Sequence, residues 1–193
     1  KELIEDGLYE KPFLFPMMEA LPMLFRAEIV GVNINWNEVD RIQYEELNPA
    51  LATIKEELRD ISGYPDLNPL SSKRVNDILY DDLDMPIVEA RTRAGGHKVT
   101  GRSSQRAIMD LWADLWEKGE LDVDEEAWLF VEKLREYRHL RKLLGSYIIK
   151  WRAYKGTDNH VHTSFLLRGT TTGRLSAKDP PVQTIPSKVT DYY

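Results

Sequence analysis

The sequence predicts an α+β fold that is mainly α, a series of helices followed by a small antiparallel β segment. Three observations carry this. Apolar residues recur at three- and four-residue spacing through most of the first 147 positions. Glycine, proline, serine and asparagine punctuate that series at helix-sized intervals. Beyond Ile148 the pattern changes to short strand-like runs joined by Gly- and Thr-rich turns. With 193 residues, 42% hydrophobic and 30% charged, the chain is long enough to bury a core. It has no cysteine, which excludes disulfides and thiolate metal sites. No apolar run approaches the roughly 18 residues that cross a bilayer. The acidic opening KELIEDGLYEKPFLF is unlike a signal peptide. No membrane partner is expected, and a cytoplasmic setting is.

Each element has its local reason. LPMLFRAEI (21–29) has helical spacing, and Gly31 closes it. Asn35 or Asn37 can cap a long helix to about Ile61, whose apolar face is Val39, Ile42, Leu47, Leu51, Ile54 and Leu58. Pro49 should bend or interrupt that helix. Ser71 or Ser72 starts a shorter helix through Leu83, and Pro86 ends any continuation. Residues 88–102, VEARTRAGGHKVTGR, have no helical period, three glycines and four Arg or Lys, and predict a mobile basic loop. Ser103 or Ser104 caps a helix through Glu117. A further helix runs from Asp124 to about Tyr147. Strands are then expected in KWRAYK, VHTSFLLR and GRLSA.

Charge is unevenly spread. The chain carries -6 overall, with 14 basic and 27 acidic residues in 1–130 but 12 basic and 4 acidic residues in 131–188. A positive field concentrated on one third of the chain steers polyanions toward it. In EYRHLRKLLGSY, Arg138, Arg141 and Lys142 share one side of a helix while Leu134, Tyr137, Leu140 and Leu144 can pack inward. Two readings stay open for that face: a phosphate backbone neutralises the cations, or Glu132 and Glu136, one turn away, compensate a solvated surface.

The segment TTTGRLSAKDPPVQTIP (170–186) is too polar and too broken for a core. The hydroxyls of Thr170 and Thr172 can donate to phosphate or sugar. Arg174 and Gln183 can reach the minor-groove acceptors that every base pair presents, sensing pairing geometry instead of sequence. A plain Thr-rich turn with a Pro-rich connector is the competing reading. His160 and His162 alternate on a predicted strand, but no third metal ligand lies near them in sequence. Asp81, Asp82 and Asp84 lack the glycine and closing glutamate of a calcium loop.

HTSFLLRGTTTGRLSAKDPPVQTIP resembles the segment that opens the palm of family A DNA polymerases, through His162-Thr163-Ser164, Thr172-Gly173-Arg174-Leu175-Ser176, Asp179-Pro180, Gln183 and Ile185-Pro186. EYRHLRKLLGSY is similar to that family's long thumb helix, LNPLSSKRVNDILYDDL to the thumb's Asn, Ser and Lys signature, and GRSSQRAIMDL to the helix start beyond the thumb-tip loop. AEIVGVNIN resembles the stretch that joins the exonuclease domain to the polymerase domain. Pro181 and Thr184 stand where asparagines are more usual, a departure that leans toward the phage branch.

The resemblance implies an exonuclease linkage over 1–35, a thumb of long antiparallel helices over 36–147 with its basic tip loop at 88–102, and the first strands of an incomplete palm over 148–193. It implies primer-template DNA and dNTPs as partners, and template-directed nucleotidyl transfer as the activity of the intact enzyme. Arg138, Arg141, Lys142, Lys73, Ser103 and Ser104 would grip the duplex backbone, and Thr170, Thr172, Arg174, Ser176 and Gln183 would meet it from the palm. The two metal-binding aspartates of the family lie beyond this segment, and Asp191 does not match their motif. No catalytic or metal-holding residue is therefore expected in this chain, Mg2+ is implied only for the intact enzyme, and the fragment alone should be inactive. A complete, non-catalytic helical nucleic-acid-binding protein is the alternative.

Overall fold

A computed structural model of the chain describes residues 5, 18–91, 98–99, 101–167 and 174–185. It is mainly helical, with three small two-stranded antiparallel sheets among the described residues. Two compact units divide it: Tyr44–Leu144 forms one, and Lys1–Gln43 with Gly145–Tyr193 forms the other.

In the second unit, α1 (Glu19–Val30) ends at Gly31, φ 68°, and is followed by β1 (Val32–Asn33). A Cβ on Gly31 would lie 2.8 Å from the His162 ring, so the close approach as well as the dihedral requires glycine. Asn35 caps α2 (Trp36–Arg41) by accepting from the Glu38 amide. A π-helical stretch, Ile42–Leu47, then leads into α3 (Asn48–Ser62) of the first unit. Pro49 lies in the first turn of α3 and does not break the helical run. The regular α-helix does give way on its N-terminal side, to the π-helical stretch Ile42–Leu47, which is the interruption expected of a proline there.

The first unit is built on α3 packed along α6 (Glu125–Leu143), with α4 (Ser72–Asp77) and α5 (Arg106–Glu117) completing it. Leu51, Ile54 and Leu58 of α3 and Phe130, Val131 and Leu134 of α6 are buried. Lys133 Nζ meets Glu57 Oε2 at 2.7 Å between the two helices. Trp112 of α5 is fully buried, its ring 5.9 Å from that of Tyr80 and its Nε1–H donating to the Pro86 carbonyl at 3.2 Å. Burial of each such large side chain stabilises by about 1.5–3 kcal/mol.

Three expectations need correction. The basic loop 88–102 contains a short hairpin, β2 (Ala90–Arg91) against β3 (Lys98–Val99), held by the buried Val99 and a Lys98–Glu89 ion pair. Neither Ser103 nor Ser104 caps α5: the helix starts at Arg106 after Gln105, and Ser104 is buried. KWRAYK is not a strand, because helix continues beyond α6 through a π-helical stretch, Leu144–Ile149, into α7 (Lys150–Arg152), where Trp151 is buried. The demand of one tryptophan for a buried helical position outweighs the alternation in that hexapeptide.

In the second unit, β4 (His160–Val161) pairs with β1 in the register Val32↔Val161, and β5 (Ser164–Leu166) pairs with β6 (Ser176–Lys178). Trp36 Nε1–H donates to the Asn159 carbonyl at 2.8 Å, and Arg152 reaches Asp40 and Gln43. These contacts bind α2 to the chain's last third.

Candidate nucleic-acid interface

In the helical unit, a groove of about 930 Å³ opens between α4, the segment before α5, and α6. Ser103, Ser104, Arg138 and Lys142, which sequence reasoning selected, all line it. Lys73 and Arg141 are exposed and lie outside its lining. The groove is built by packing: Tyr80 O–H donates to the Ser103 carbonyl at 2.9 Å, Ser103 N–H donates back to the Tyr80 oxygen at 3.0 Å, and Asn76 Nδ2 donates to the Arg102 carbonyl at 3.2 Å. Burial raises the Tyr80 pKa, so the phenol stays a neutral donor.

Arg138 is half-buried and turned inward. Its Nε and Nη2 both lie 3.3 Å from the Pro69 carbonyl, Nη1 donates to the Ser104 carbonyl, and Nη2 reaches Ser104 Oγ at 3.3 Å. Desolvation lowers its pKa, but a guanidinium remains charged. The other groove arginines are answered by carboxylates. Arg102 is paired with Asp81, and Arg106 and Arg135 share Asp110 at 3.4 and 3.1 Å.

Among the described residues, Lys73, Arg141 and Lys142 form no ion pair with a carboxylate, and neither Glu132 nor Glu136 pairs with a cation of the 138–142 face. Glu132 and Glu136 line the same groove as Lys142 without a direct ion pair to it. Lys73, Arg141 and Lys142 are thus exposed cations without a direct carboxylate contact among the described residues.

In the other unit, Ser176 lies on β6, Arg174 just before it, and Gln183 in the 3-10 turn Val182–Thr184 that follows. Thr163 is buried, its hydroxyl donating to the Pro180 carbonyl at 2.6 Å with the Lys178 carbonyl 3.1 Å away. Gln183 uses both ends of its amide on the backbone: Oε1 accepts from Ala177 N–H and Nε2 donates to the Leu175 carbonyl, each at 3.1 Å. Arg174 is exposed at the entrance to β6, and Ser176 within that strand is partly buried. His162 contacts the Glu28 carbonyl through Nδ1 at 2.9 Å and Asp158 Oδ2 through Nε2 at 3.2 Å. The first of these contacts, followed by the Asp158 carboxylate, raises the His162 pKa. Thr170 and Thr172 lie outside the described residues.

Among the described residues, no group of three or more His, Asp or Glu side chains converges as a metal site. Nor is any helix there long and apolar enough to cross a membrane.

The profile of DNA polymerase family A matches residues 38–192. This chain belongs to that family. As a family A polymerase sequence it is 30% identical over 191 residues to DNA polymerase I of Lactococcus lactis subsp. cremoris, covering 97% of this chain and 19% of that protein. It is 30% identical over 168 residues to DNA polymerase I of Bacillus subtilis, covering 86% of this chain and 17% of that protein. The polymerase domain of Pol1 from M. smegmatis, solved in complex with DNA primer-template and dNTP, has a similar fold: the TM-score is 0.70 at 23% identity, over 96% of this chain and 29% of that one. The chain thus spans about a fifth of the length of these curated relatives.

Sequence reasoning about this family A chain missed Asn76, Arg102, Arg135 and His139, all of which line the groove. Arg135 and His139 carried a signal, since Arg135, Arg138, His139 and Lys142 stand at i, i+3, i+4 and i+7 on one helix. Asn76 and Arg102 carried none, because only the packing of α4 against the segment before α5 brings them together.

Proposed function

We propose that this chain is the part of a template-directed DNA polymerase that holds the primer-template duplex, the thumb together with the first strands of the palm. The observation that carries the proposal is the groove of the helical unit with Lys142 on its lining and Lys73 and Arg141 outside it, three exposed cations without carboxylate partners among the described residues. Such cations match phosphate oxygens and release counterions when they bind. Ser103 and Ser104 supply polar groups at the groove, and Arg138 belongs to the same interface. In the other unit, Arg174 meets the minor groove at the primer terminus, Ser176 and Gln183 support that contact, and Thr170 and Thr172 donate to phosphate or sugar.

The enzyme's reaction is nucleotidyl transfer from a dNTP to a primer 3' end. Metal ions supply its activation of the primer hydroxyl and its stabilisation of pyrophosphate. In this reading the chain's contribution is binding and positioning, and by itself it is expected to incorporate no nucleotide.

Binding of a primed duplex by the purified chain across a salt series tests this. Each of Lys73→Ala, Arg141→Ala and Lys142→Ala is expected to reduce the slope of log K against log salt by about 0.9. Slopes identical to that of the parent chain for all three would refute the interface. Incorporation of a dNTP by the chain alone would refute the division of labour.

A further inference from the structure

Arg138 looks by position like one more phosphate ligand, since it shares a helix face with Arg141 and Lys142. Its hydrogen bonds say otherwise. The guanidinium spends Nε and Nη2 on the Pro69 carbonyl, and Nη1 and Nη2 on the carbonyl and hydroxyl of Ser104. Of its five N–H donors, this leaves no free pair on one edge, and a bidentate grip on phosphate needs such a pair. Ser104 in turn is buried, so its carbonyl and hydroxyl depend on this partner for satisfaction.

The two anchored points have a shared property. Pro69 stands two residues before Ser71, the cap of α4, and Ser104 directly precedes Gln105, the cap position of α5. The residues that follow each anchor, Ser72 and Asn76 on one side and Gln105 and Arg106 on the other, line the groove. One side chain on α6 therefore fastens two adjoining segments of the groove near their helix starts.

We infer that Arg138 is a positioning residue, which fixes the Pro69 and Ser104 segments so that the groove is preformed for the duplex, and that it is not itself a phosphate contact. This rests on the DNA-holding reading above. The geometry also specifies the side chain. A lysine keeps the charge but has one nitrogen, which cannot reach two carbonyls and a hydroxyl in the forked arrangement that a guanidinium spans.

The test compares Arg138→Ala, Arg138→Lys and Lys142→Ala in the purified chain, by binding to a primed duplex over a salt series at a temperature where thermal melting shows each variant folded. The two Arg138 variants are expected to weaken binding several-fold at every salt concentration, giving lines parallel to the parent's, with no rescue by lysine. Lys142→Ala is expected to change the slope itself by about 0.9. Hydrogen exchange at the Gln105 and Arg106 amides should quicken in the Arg138 variants and stay unchanged in Lys142→Ala. The inference is overturned if Arg138→Ala lowers the slope by about 0.9 and lysine restores it, the signature of a direct phosphate ligand. Unchanged binding and unchanged exchange in Arg138→Ala overturn it as well. Failure of the underlying DNA-holding reading is distinguishable, because Lys142→Ala, Arg141→Ala and Lys73→Ala would then all leave the slope intact. Should the Arg138 variants not fold, Ser104→Ala removes the hydroxyl bond at one anchor while leaving its carbonyl, and is expected to show the same parallel weakening to a smaller degree; unaltered binding there overturns the inference.

Discussion

The groove of the helical unit and the hairpin of the other unit reach a similar arrangement by different routes. In the groove, the lining residues are scattered from Ser72 to Lys142, and only the packing of α4, α5 and α6 assembles them. In the hairpin, Arg174, Ser176 and Gln183 lie within ten residues, and local hydrogen bonds order them. Both regions spend one polar side chain on their own backbone, Arg138 in one and Gln183 in the other. The difference teaches where each region is vulnerable: the groove should fail when a distant core residue is lost, and the hairpin when a single local bond is lost.

The sharpest break should come from Trp112→Ala. Trp112 is fully buried beside Tyr80, whose hydroxyl holds Ser103, so truncation should cost about 3–5 kcal/mol of stability. Chemical denaturation would measure it, and duplex binding by the groove should fall with it. A loss below 1 kcal/mol, roughly that of a surface site, would mean the groove does not depend on this core.

Thr163→Val tests the hairpin at its buried anchor. Removing the hydroxyl leaves the Pro180 carbonyl without its donor at an almost isosteric site, and should cost about 1–3 kcal/mol by urea titration. Gln183→Leu should have a smaller effect, about 1 kcal/mol, because its two backbone bonds are exposed. A Gln183→Leu chain as stable as its parent would show that the strand before it orders itself without the amide.

The smallest effect expected is a pH dependence confined to the unit that holds the hairpin. His162 has its pKa raised above the ordinary 6.5 by the Glu28 carbonyl first and by Asp158 second. Its folded-state value exceeds its unfolded one, so its contribution is complete below about pH 6.5 and is lost as pH rises through the folded value. Asp158 acts in the opposite direction: the His160 amide lowers its pKa, so its contribution is present above the ordinary 3.8 and is lost on acidification. Urea midpoints should therefore fall slightly from acid to alkaline pH across neutrality, and His162→Gln should flatten that slope. A midpoint that rises with pH over that interval would reverse the assigned sign.

Much of this was legible in the sequence for reasons of range. Asn35 and Ser71 cap helices because a side-chain oxygen reaches an amide three residues on, a distance that sequence spacing gives directly. Gly31 ends α1 as its position suggests, but its closeness to His162, 131 residues away, was invisible. Serine before an apolar run looked like a cap at Ser103 and Ser104, yet the Ser103 hydroxyl accepts from the Gln105 amide ahead of the helix and the Ser104 hydroxyl is taken by the distant Arg138. KWRAYK alternates like a strand, yet helix continues into it and Trp151 is buried there.

The sequence by itself determined the helical series, the placement of the short strands near the end, the uneven charge and the family motifs, because each depends on periodicity or on neighbours a few residues apart. Only the tertiary structure decided which cations face outward and which are consumed within. That choice depends on whether a carbonyl or a carboxylate from a distant segment arrives within 3.5 Å, as Pro69 and Ser104 do at Arg138 and as none among the described residues does at Lys142.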